Sequence, residues 1–195
     1  MQQINIVNRS TREIIFSHTT ENNSIRTTVY AAIKQGADLA NADLSGAALI
    51  GLIFNAGNLR NVNFANCRLA LCDFAACDLS GANFEGAIGP QCEFSYASLI
   101  NANLKNFTAR SARFRNANLM RADISGASIV CGNFKNCNLA HANLQNAELS
   151  RCDFSNSSLR HSNLSAADLT NARLADADLT DSNPLNAIVS GTILL

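Results

Sequence analysis

Large apolar residues recur at every fifth position along most of the chain. From Leu39 to Pro184, Leu, Ile or Phe occupies 27 of the 30 positions spaced five apart. The exceptions are Gly89, Ala109 and Pro184 itself. A small residue stands two places before 27 of these 30 positions, and Asp or Asn directly precedes 18 of them. Residues 37–184 therefore form one unbroken five-residue repeat.

This period fits neither an α-helix nor a flat strand. Five residues advance a helix by about 500°, so a five-residue stripe drifts by about 140° at each repeat. Residues five apart on a strand fall on opposite faces. The chain must instead turn a corner every five residues, and four corners close a coil of about 20 residues.

Residues 20 apart test this closure, because they are expected to stack on one inner side. One such column is almost entirely phenylalanine: Phe54, Phe74, Phe94, Phe114, Phe134, Phe154 and then Leu174. A second is leucine throughout: Leu39, Leu59, Leu79, Leu99, Leu119, Leu139, Leu159 and Leu179. The pattern predicts an all-β, four-sided solenoid with about seven and a half coils. At one type of corner, Gly46, Gly86 and Gly126 predict positive φ.

One coil breaks the size pattern. Ala109 is small for a large position, and Phe107 is large for a small one. We expect Phe107 to enter the core and fill the volume that Ala109 leaves. In the preceding coil, the dipeptide Gly89-Pro90 predicts a bent or bulged segment.

The repeat unit, as in residues 122–126 (Ala-Asp-Ile-Ser-Gly), resembles that of the pentapeptide-repeat family. The resemblance implies a right-handed quadrilateral β-helix.

Two further segments precede the repeat. Residues 1–19 predict a β-hairpin, and residues 20–36 predict a capping helix with Ser24 as its N-cap and Gly36 at its end. This lead-in is similar to that of bacterial and phage members of the family.

The C-terminal segment, residues 185–195, is too apolar for a free tail. Its apolar residues are Ile188, Val189, Ile193, Leu194 and Leu195. They either seal the last coil of one chain or join two chains as a homodimer. The resemblance favours the dimer, since relatives often dimerise through this end.

Charge and cysteine content narrow the function classes. Acidic and basic residues balance at 15 each, which gives little driving force for direct binding to nucleic acid. No apolar run is long enough to cross a membrane, and the first residues do not resemble a secretory signal. Six of the seven cysteines, all except Cys131, occupy small inward positions, which favours a reducing, cytoplasmic location.

The polar residues form no constellation typical of an enzyme, and we expect no cofactor. His141, His161 and Asp181 stand 20 apart, so we expect an outward column. Imidazole and carboxylate groups can bind zinc, but a straight ladder gives poor tetrahedral geometry. A solvated column is therefore favoured over a metal site.

The strongest candidate for a site is basic. Residues 94–122 contain five basic residues and no acidic one. The candidate partner-binding patch comprises Lys105, Arg110, Arg113, Arg115 and Lys135. The alternative interpretation is a solvated surface whose charges pair between coils. The leading hypothesis for function is a non-enzymatic binding or scaffold protein. The alternative, implied by some relatives, is a DNA mimic that modulates or protects DNA gyrase or another DNA-binding protein.

Overall fold

The computed structural model describes residues 1–54 and 56–193, and it begins with the predicted hairpin. Strands β1 (Gln2–Asn8) and β2 (Ile14–Thr20) pair antiparallel. Both strands are longer than their apolar cores because polar residues continue the ladder at each end. The side chain of Ile6 is fully buried, so the hairpin packs against the rest of the molecule.

Helix α1 (Ile25–Lys34) follows, and its boundaries have local causes. The Ser24 hydroxyl accepts a hydrogen bond from the Thr27 N–H, and the Thr27 side chain accepts one from the Ser24 N–H. This reciprocal capping box satisfies two N–H groups at the helix start. Gly36, at φ +67°, lies just past the helix end, as the sequence predicted.

The remainder of the described chain is the predicted four-sided solenoid. A short strand β3 (Ala42–Asp43) opens it, and parallel bridges then join residues 20 apart from Asp43↔Asn63 to Arg173↔Ile193. From Leu44 to Leu174, the N–H of each inward residue at the large position donates to the next coil, as from Leu44 to the Asn63 carbonyl at 2.9 Å. Backbone hydrogen bonds between coils thus run along the axis of the rod.

The inner columns confirm the closure. Successive phenylalanine rings from Phe54 to Phe154 stack with centroids 4.6 to 5.1 Å apart and planes within 10°. Phe94 and Phe114 therefore lie on one inner side. The leucine column is buried from Leu39 to Leu159. Residues 20 apart stack on one another because each coil has the same four-sided cross-section as the coil below it.

The corners explain part of the abundance of asparagine. Each corner is a four-residue turn closed by a hydrogen bond, as from the Ala42 N–H to the Leu39 carbonyl at 3.0 Å. Its third residue has positive φ, as at Asn41 with φ 61°. Glycine and asparagine adopt this conformation most readily. The predicted positive φ is confirmed at Gly46, Gly86 and Gly126.

The irregular coil repacks as predicted, but it does not bend. Phe107 and Ala109 are both fully buried. The Phe107 ring also fills the space over Gly89, where an added Cβ would lie 2.9 Å from its Cζ. The predicted bulge at Gly89-Pro90 is wrong: Gly89 donates to Thr108 at 2.8 Å and the Pro90 carbonyl accepts from Leu71 at 3.0 Å. Proline fits because its position supplies only a carbonyl to the ladder.

The two ends of the solenoid differ. At the N-terminal end, β1 pairs antiparallel with β3, and the buried side chains of Val29 and Ala32 in α1 join the core. At the other end the coil continues past Pro184, where the sequence pattern had placed its end, as far as Ile193. Residues 185–193 extend the ladder and do not fold back over it. Leu194 and Leu195 lie outside the described residues.

Candidate partner-binding surface

Charges are banded along the rod. Residues 94–147, the middle band, contain six basic residues and one acidic residue, Asp123. Residues 36–93 contain six acidic and two basic residues, and residues 148–183 contain six acidic and three basic residues. The coil places these stretches in axial order, so one basic band lies between two acidic ones.

Four of the five predicted residues come together around one corner and the next. Arg110 lies on a corner, Arg113 on the side that follows, and Arg115 on the next corner. Lys135 stands one coil beyond Arg115, where its carbonyl accepts a hydrogen bond from the N–H of Asn116 at 3.0 Å. We call Arg110, Arg113, Arg115 and Lys135 the basic patch.

The structure places Lys105 apart from this patch. It lies one corner before Arg110, across a side whose outward residue is Thr108. There it lines a shallow polar groove with Asp123, Asn143 and other polar residues. Each pentad turns one corner, so neighbours in the sequence need not share a surface. Lys105 therefore lines this groove as well as standing one corner from Arg110, and its part in partner binding stays a prediction.

Ion pairing occupies part of the basic patch. Arg113 forms an ion pair with Glu93 of the preceding coil. Burial opposes ionisation of Glu93, but hydrogen bonds from Arg113 and Ser95 outweigh it and lower the pKa of this carboxyl. Within residues 1–54 and 56–193, Arg110 and Arg115 form no ion pair. Two guanidinium groups on neighbouring corners therefore remain available to a partner.

Lys135 is partly engaged with an acidic neighbour. Burial opposes ionisation of Asp153, but hydrogen bonds from Ser155 and the charges of Lys135 and Arg173 lower the pKa of its carboxyl. No Lys135 ion pair lies within contact distance in the described part of the chain. The ammonium group of Lys135 thus adds to the positive field of the basic patch, and it can form a close ion pair with an acidic group of a partner.

The histidine column forms as predicted. The rings of His141 and His161 stack with centroids 4.8 Å apart and planes within 11°. His161 Nδ1 lies 3.6 Å from an oxygen of Asp181. Parallel rings direct their nitrogen lone pairs along parallel lines, which do not converge on one ion. Across residues 1–54 and 56–193, no group of three His, Cys, Asp or Glu side chains is placed to hold a metal.

The six inward cysteines are buried, and Cys131 is half-buried, as the repeat predicted. Five of the inward thiols donate to a carbonyl of the preceding coil, as from Cys137 to Phe114 at 2.7 Å. Burial raises the pKa of Cys72 to about 11 and that of Cys137 to about 12. A thiol that does not ionise near neutral pH is a poor nucleophile. These cysteines therefore fill the core.

The sequence reasoning missed a second surface feature, which we call the apolar edge. It consists of four apolar side chains on or beside one corner, in successive coils near the N-terminal end: Ile50, Ile53, Leu71 and Ile88. They are 38 to 59% exposed. The available signal was the appearance of large apolar residues at outward positions, where the repeat elsewhere favours polar ones.

A groove lies between α1 and the start of the apolar edge. It has a volume of about 260 Å³ and is lined by Arg26, Tyr30, Ile33, Lys34, Gly51, Leu52 and Ile53. Arg26 donates two hydrogen bonds to the Ile50 carbonyl at 3.0 and 3.2 Å. The Lys34 ammonium lies 5.6 Å from the centre of the Tyr30 ring. The groove is thus apolar at its base and basic at its rim.

Comparison with known proteins identifies the repeat. A family model described as Pentapeptide repeats matches eight copies, within residues 35–66, 67–106, 97–130, 117–156, 133–171, 147–183 and 157–194. No curated protein matches the chain. Across the described residues, no helix is long and apolar enough to span a membrane.

Solved structures of similar fold come from several sources. HetL, a protein involved in heterocyst differentiation regulation from the cyanobacterium Nostoc, is 23% identical with a TM-score of 0.50, over 88% of this chain and 98% of its own. QnrB1, a plasmid-mediated fluoroquinolone resistance protein, is 21% identical with a TM-score of 0.39, over 76% and 91%. A protein from the Arabidopsis thaliana thylakoid lumen is 26% identical with a TM-score of 0.21, over 71% and 72%.

Proposed function

We propose that this chain, which belongs to the pentapeptide-repeat family and folds as its right-handed quadrilateral β-helix, is a non-enzymatic protein that binds an acidic protein partner through the basic patch. Members of the family are generally structural or binding proteins. One observation carries the proposal: Arg110 and Arg115 project from a rigid wall with no ion-pair partner in residues 1–54 and 56–193.

The rigidity of the wall matters for affinity. Arg110 and Arg115 occupy corners whose backbone is held on both sides by the coil ladder, as by the hydrogen bond from Gln91 to the Arg110 carbonyl at 2.9 Å. Binding therefore requires ordering of side chains but not of backbone. A preorganised surface loses less conformational entropy when a partner binds.

The acidic bands limit the size and type of partner. The middle band spans fewer than three coils, or about 13 Å at the usual strand spacing. A nucleic acid duplex lying along the rod would meet the acidic residues on either side, and its phosphates would be repelled. A compact acidic patch on a folded protein fits the width of the band.

The charge pattern does not favour DNA mimicry. A mimic of duplex DNA needs a continuous acidic stripe along the rod, since DNA carries evenly spaced negative charges. The middle band interrupts any such stripe with six basic residues. We therefore expect no inhibition of gyrase supercoiling by the purified protein.

The test is capture of partners from a lysate of the encoding organism, with identification by mass spectrometry. The wild type is compared with a triple variant, Arg110→Glu, Arg115→Glu and Lys135→Glu. Arg151→Glu, at an exposed corner outside the basic patch, is the matched control. We expect an acidic protein to be retained by the wild type and the control and lost by the triple variant. Equal capture by all three overturns the proposal. A supercoiling assay run alongside supports DNA mimicry instead if the wild type inhibits gyrase.

A further inference from the structure

The apolar edge is an exposed feature that the repeat does not require. Ile53, Leu71 and Ile88 are 56, 59 and 52% exposed. Outward positions elsewhere along the coil carry mostly polar residues. Packing of the core therefore does not require apolar side chains at these three positions. Leu71 even adopts positive φ, at 61°, a conformation that asparagine tolerates better than leucine. Exposed apolar side chains gathered around one corner in successive coils are typical of an interaction site.

Basic groups lie at both ends of this edge. At the end near α1, Arg26 and Lys34 form the rim of the groove. At the other end, the next residue along the same corner is Arg110 of the basic patch. Arg68, exposed in the second coil, lies beside the edge. The edge is therefore an apolar strip with cations at each end and along one flank.

The acidic neighbours do not cancel this charge. Asp73 and Glu93 lie on the side that adjoins the edge. Glu93 is already engaged by Arg113 in an ion pair. The edge lies within the acidic band of residues 36–93, but among the described residues Asp73 is the one acidic side chain on the two adjoining sides without an ion pair. The four basic side chains of the groove rim, the flank and the corner outnumber it, so the local field along the edge attracts negative charge.

We propose that the apolar edge binds a short extended segment of a protein partner, with apolar side chains in its centre and acidic side chains at both ends. The proposal rests on the proposed function and specifies the chemistry of the partner. From the coil of Ile50 to that of Arg110 is three steps, or about 14 Å. An extended chain covers this distance in about four residues. Acidic residues on either side then reach the groove rim and Arg110.

A synthetic peptide tests this directly. The probe is fluorescein-labelled Asp-Glu-Leu-Phe-Leu-Asp-Glu, and its binding to the full chain is followed by fluorescence anisotropy. One control peptide replaces the acids with Asn and Gln, and a second replaces Leu-Phe-Leu with Ser-Ser-Ser. We expect saturable binding of the probe and at least about tenfold weaker binding of each control. The Ser-Ser-Ser control loses the burial of large apolar side chains, and the Asn and Gln control loses the attraction of its ends to the cations that flank the edge. Equal binding of the probe and either control overturns the proposal.

Two corner substitutions provide a matched pair. Leu71→Asn removes the most exposed side chain of the edge, and Tyr96→Asn removes a 66% exposed side chain at a different corner. Both residues have positive φ, at 61° and 63°, so asparagine suits both backbones. We expect Leu71→Asn to weaken probe binding at least about tenfold and Tyr96→Asn to leave it unchanged. Thermal unfolding of each variant verifies the fold.

The same assay separates this inference from the proposed function. If Leu71→Asn binds the probe normally while the triple variant of the basic patch does not, the inference is wrong and the proposed function stands. Loss of the probe by both variants supports the inference and the proposed function together. If only Leu71→Asn loses the probe, Arg110 holds no acidic end of the segment, so the inference is wrong and the basic patch is not the binding surface. If neither variant weakens binding, both are wrong. Light scattering that shows a dimer dissociated by Leu71→Asn also overturns the inference, because a second copy would then occupy the edge.

Discussion

The two ends of the rod differ in whether the apolar side chains of the terminal coil are covered. At the N-terminal end, β1 pairs with β3, and Ile6, Val29 and Ala32 are fully buried over the first coil. At the C-terminal end, Val189 occupies an inward position yet is 55% exposed, and Ile188 is 52% exposed. One end is closed by added secondary structure, and the other presents its apolar section within the described residues.

The difference shows that closure is not a property of the repeat. Every coil offers open strand edges and apolar side chains along the axis, and the next coil covers them. A cap therefore requires sequence outside the pentad pattern, which here precedes residue 37. We expect the C-terminal end to be covered by a second chain, because natural proteins avoid open apolar edges.

The largest expected effect is on mass. At micromolar concentration, light scattering on the full chain is expected to give a dimer, about twice the monomer mass of 20.8 kDa. A chain that ends at Asn183 lacks the exposed apolar residues of the last turns but uncovers Leu169 and Leu174 of the coil beneath. It is expected to lose the specific dimer and to be less soluble and less stable than the full chain. A monomeric full-length chain contradicts the prediction, and a dimeric truncated chain places the interface elsewhere.

The stability of the interior coils is the reference for the stability of both ends. Phe114→Ala is expected to reduce the free energy of unfolding by about 3–5 kcal/mol, because coils on both sides keep the cavity open. Phe154→Ala, nearer the C-terminal end, is expected to cost less, since the end coils can relax around it. Urea unfolding followed by circular dichroism measures both. Equal losses would show that the C-terminal end is held as firmly as the interior.

A third pair compares the ends directly. Ile6→Ala removes a fully buried side chain at the covered end and is expected to cost about 2–5 kcal/mol. Ile188→Ala removes a half-exposed side chain at the other end, and in the monomer we expect a loss under about 0.5 kcal/mol. Denaturant unfolding at low and high protein concentration checks this. A large loss for Ile188→Ala that grows with concentration would show that a second chain buries it.

Much of the fold could be predicted because the repeat leaves few choices. A fixed spacing of 20 residues sorts side chains into columns, so the stacking of Phe94 on Phe114 followed from the sequence alone. The exchange between Phe107 and Ala109 was also visible, since a core has to keep its volume. The bulge expected at Gly89-Pro90 is absent because the ladder uses only the carbonyl of Pro90, and residue types alone do not show which backbone groups a ladder uses.

The end of the coil could not be read from Pro184 for a similar reason. At other inward positions the N–H donates to the next coil, as from Leu164 to Asn183 at 2.8 Å. No described coil follows that of Pro184, so the missing N–H leaves no bond unmade. Val189, five residues after Pro184, then occupies the next inward position of the repeat. Proline is a reliable stop signal only where its N–H is needed.

The candidate surface was only partly predictable because adjacency in a coil is set by columns and corners. Lys105 precedes Arg110 by five residues, so it stands one corner away and also lines a groove with Asp123 and Asn143. The apolar edge was missed because the sequence reasoning followed inward positions, where the repeat is strict. An outward residue such as Leu71 has its surface neighbours in adjacent coils, about 20 residues away in the sequence, so its surroundings are not visible from nearby sequence.

The smallest expected effect is a difference in thiol labelling between two buried cysteines. Cys72 lies near the covered end, and Cys152 lies within two coils of the other end. Burial raises the pKa of Cys72 to about 11 and that of Cys152 to about 12, so at pH 8 neither thiol ionises appreciably in the closed state and labelling reports local opening. Local opening is expected to begin where fewest neighbours hold the chain. In single-cysteine variants treated with a thiol reagent at pH 8, Cys152 is therefore expected to react several-fold faster than Cys72. Faster reaction of Cys72 would show that the covered end opens first.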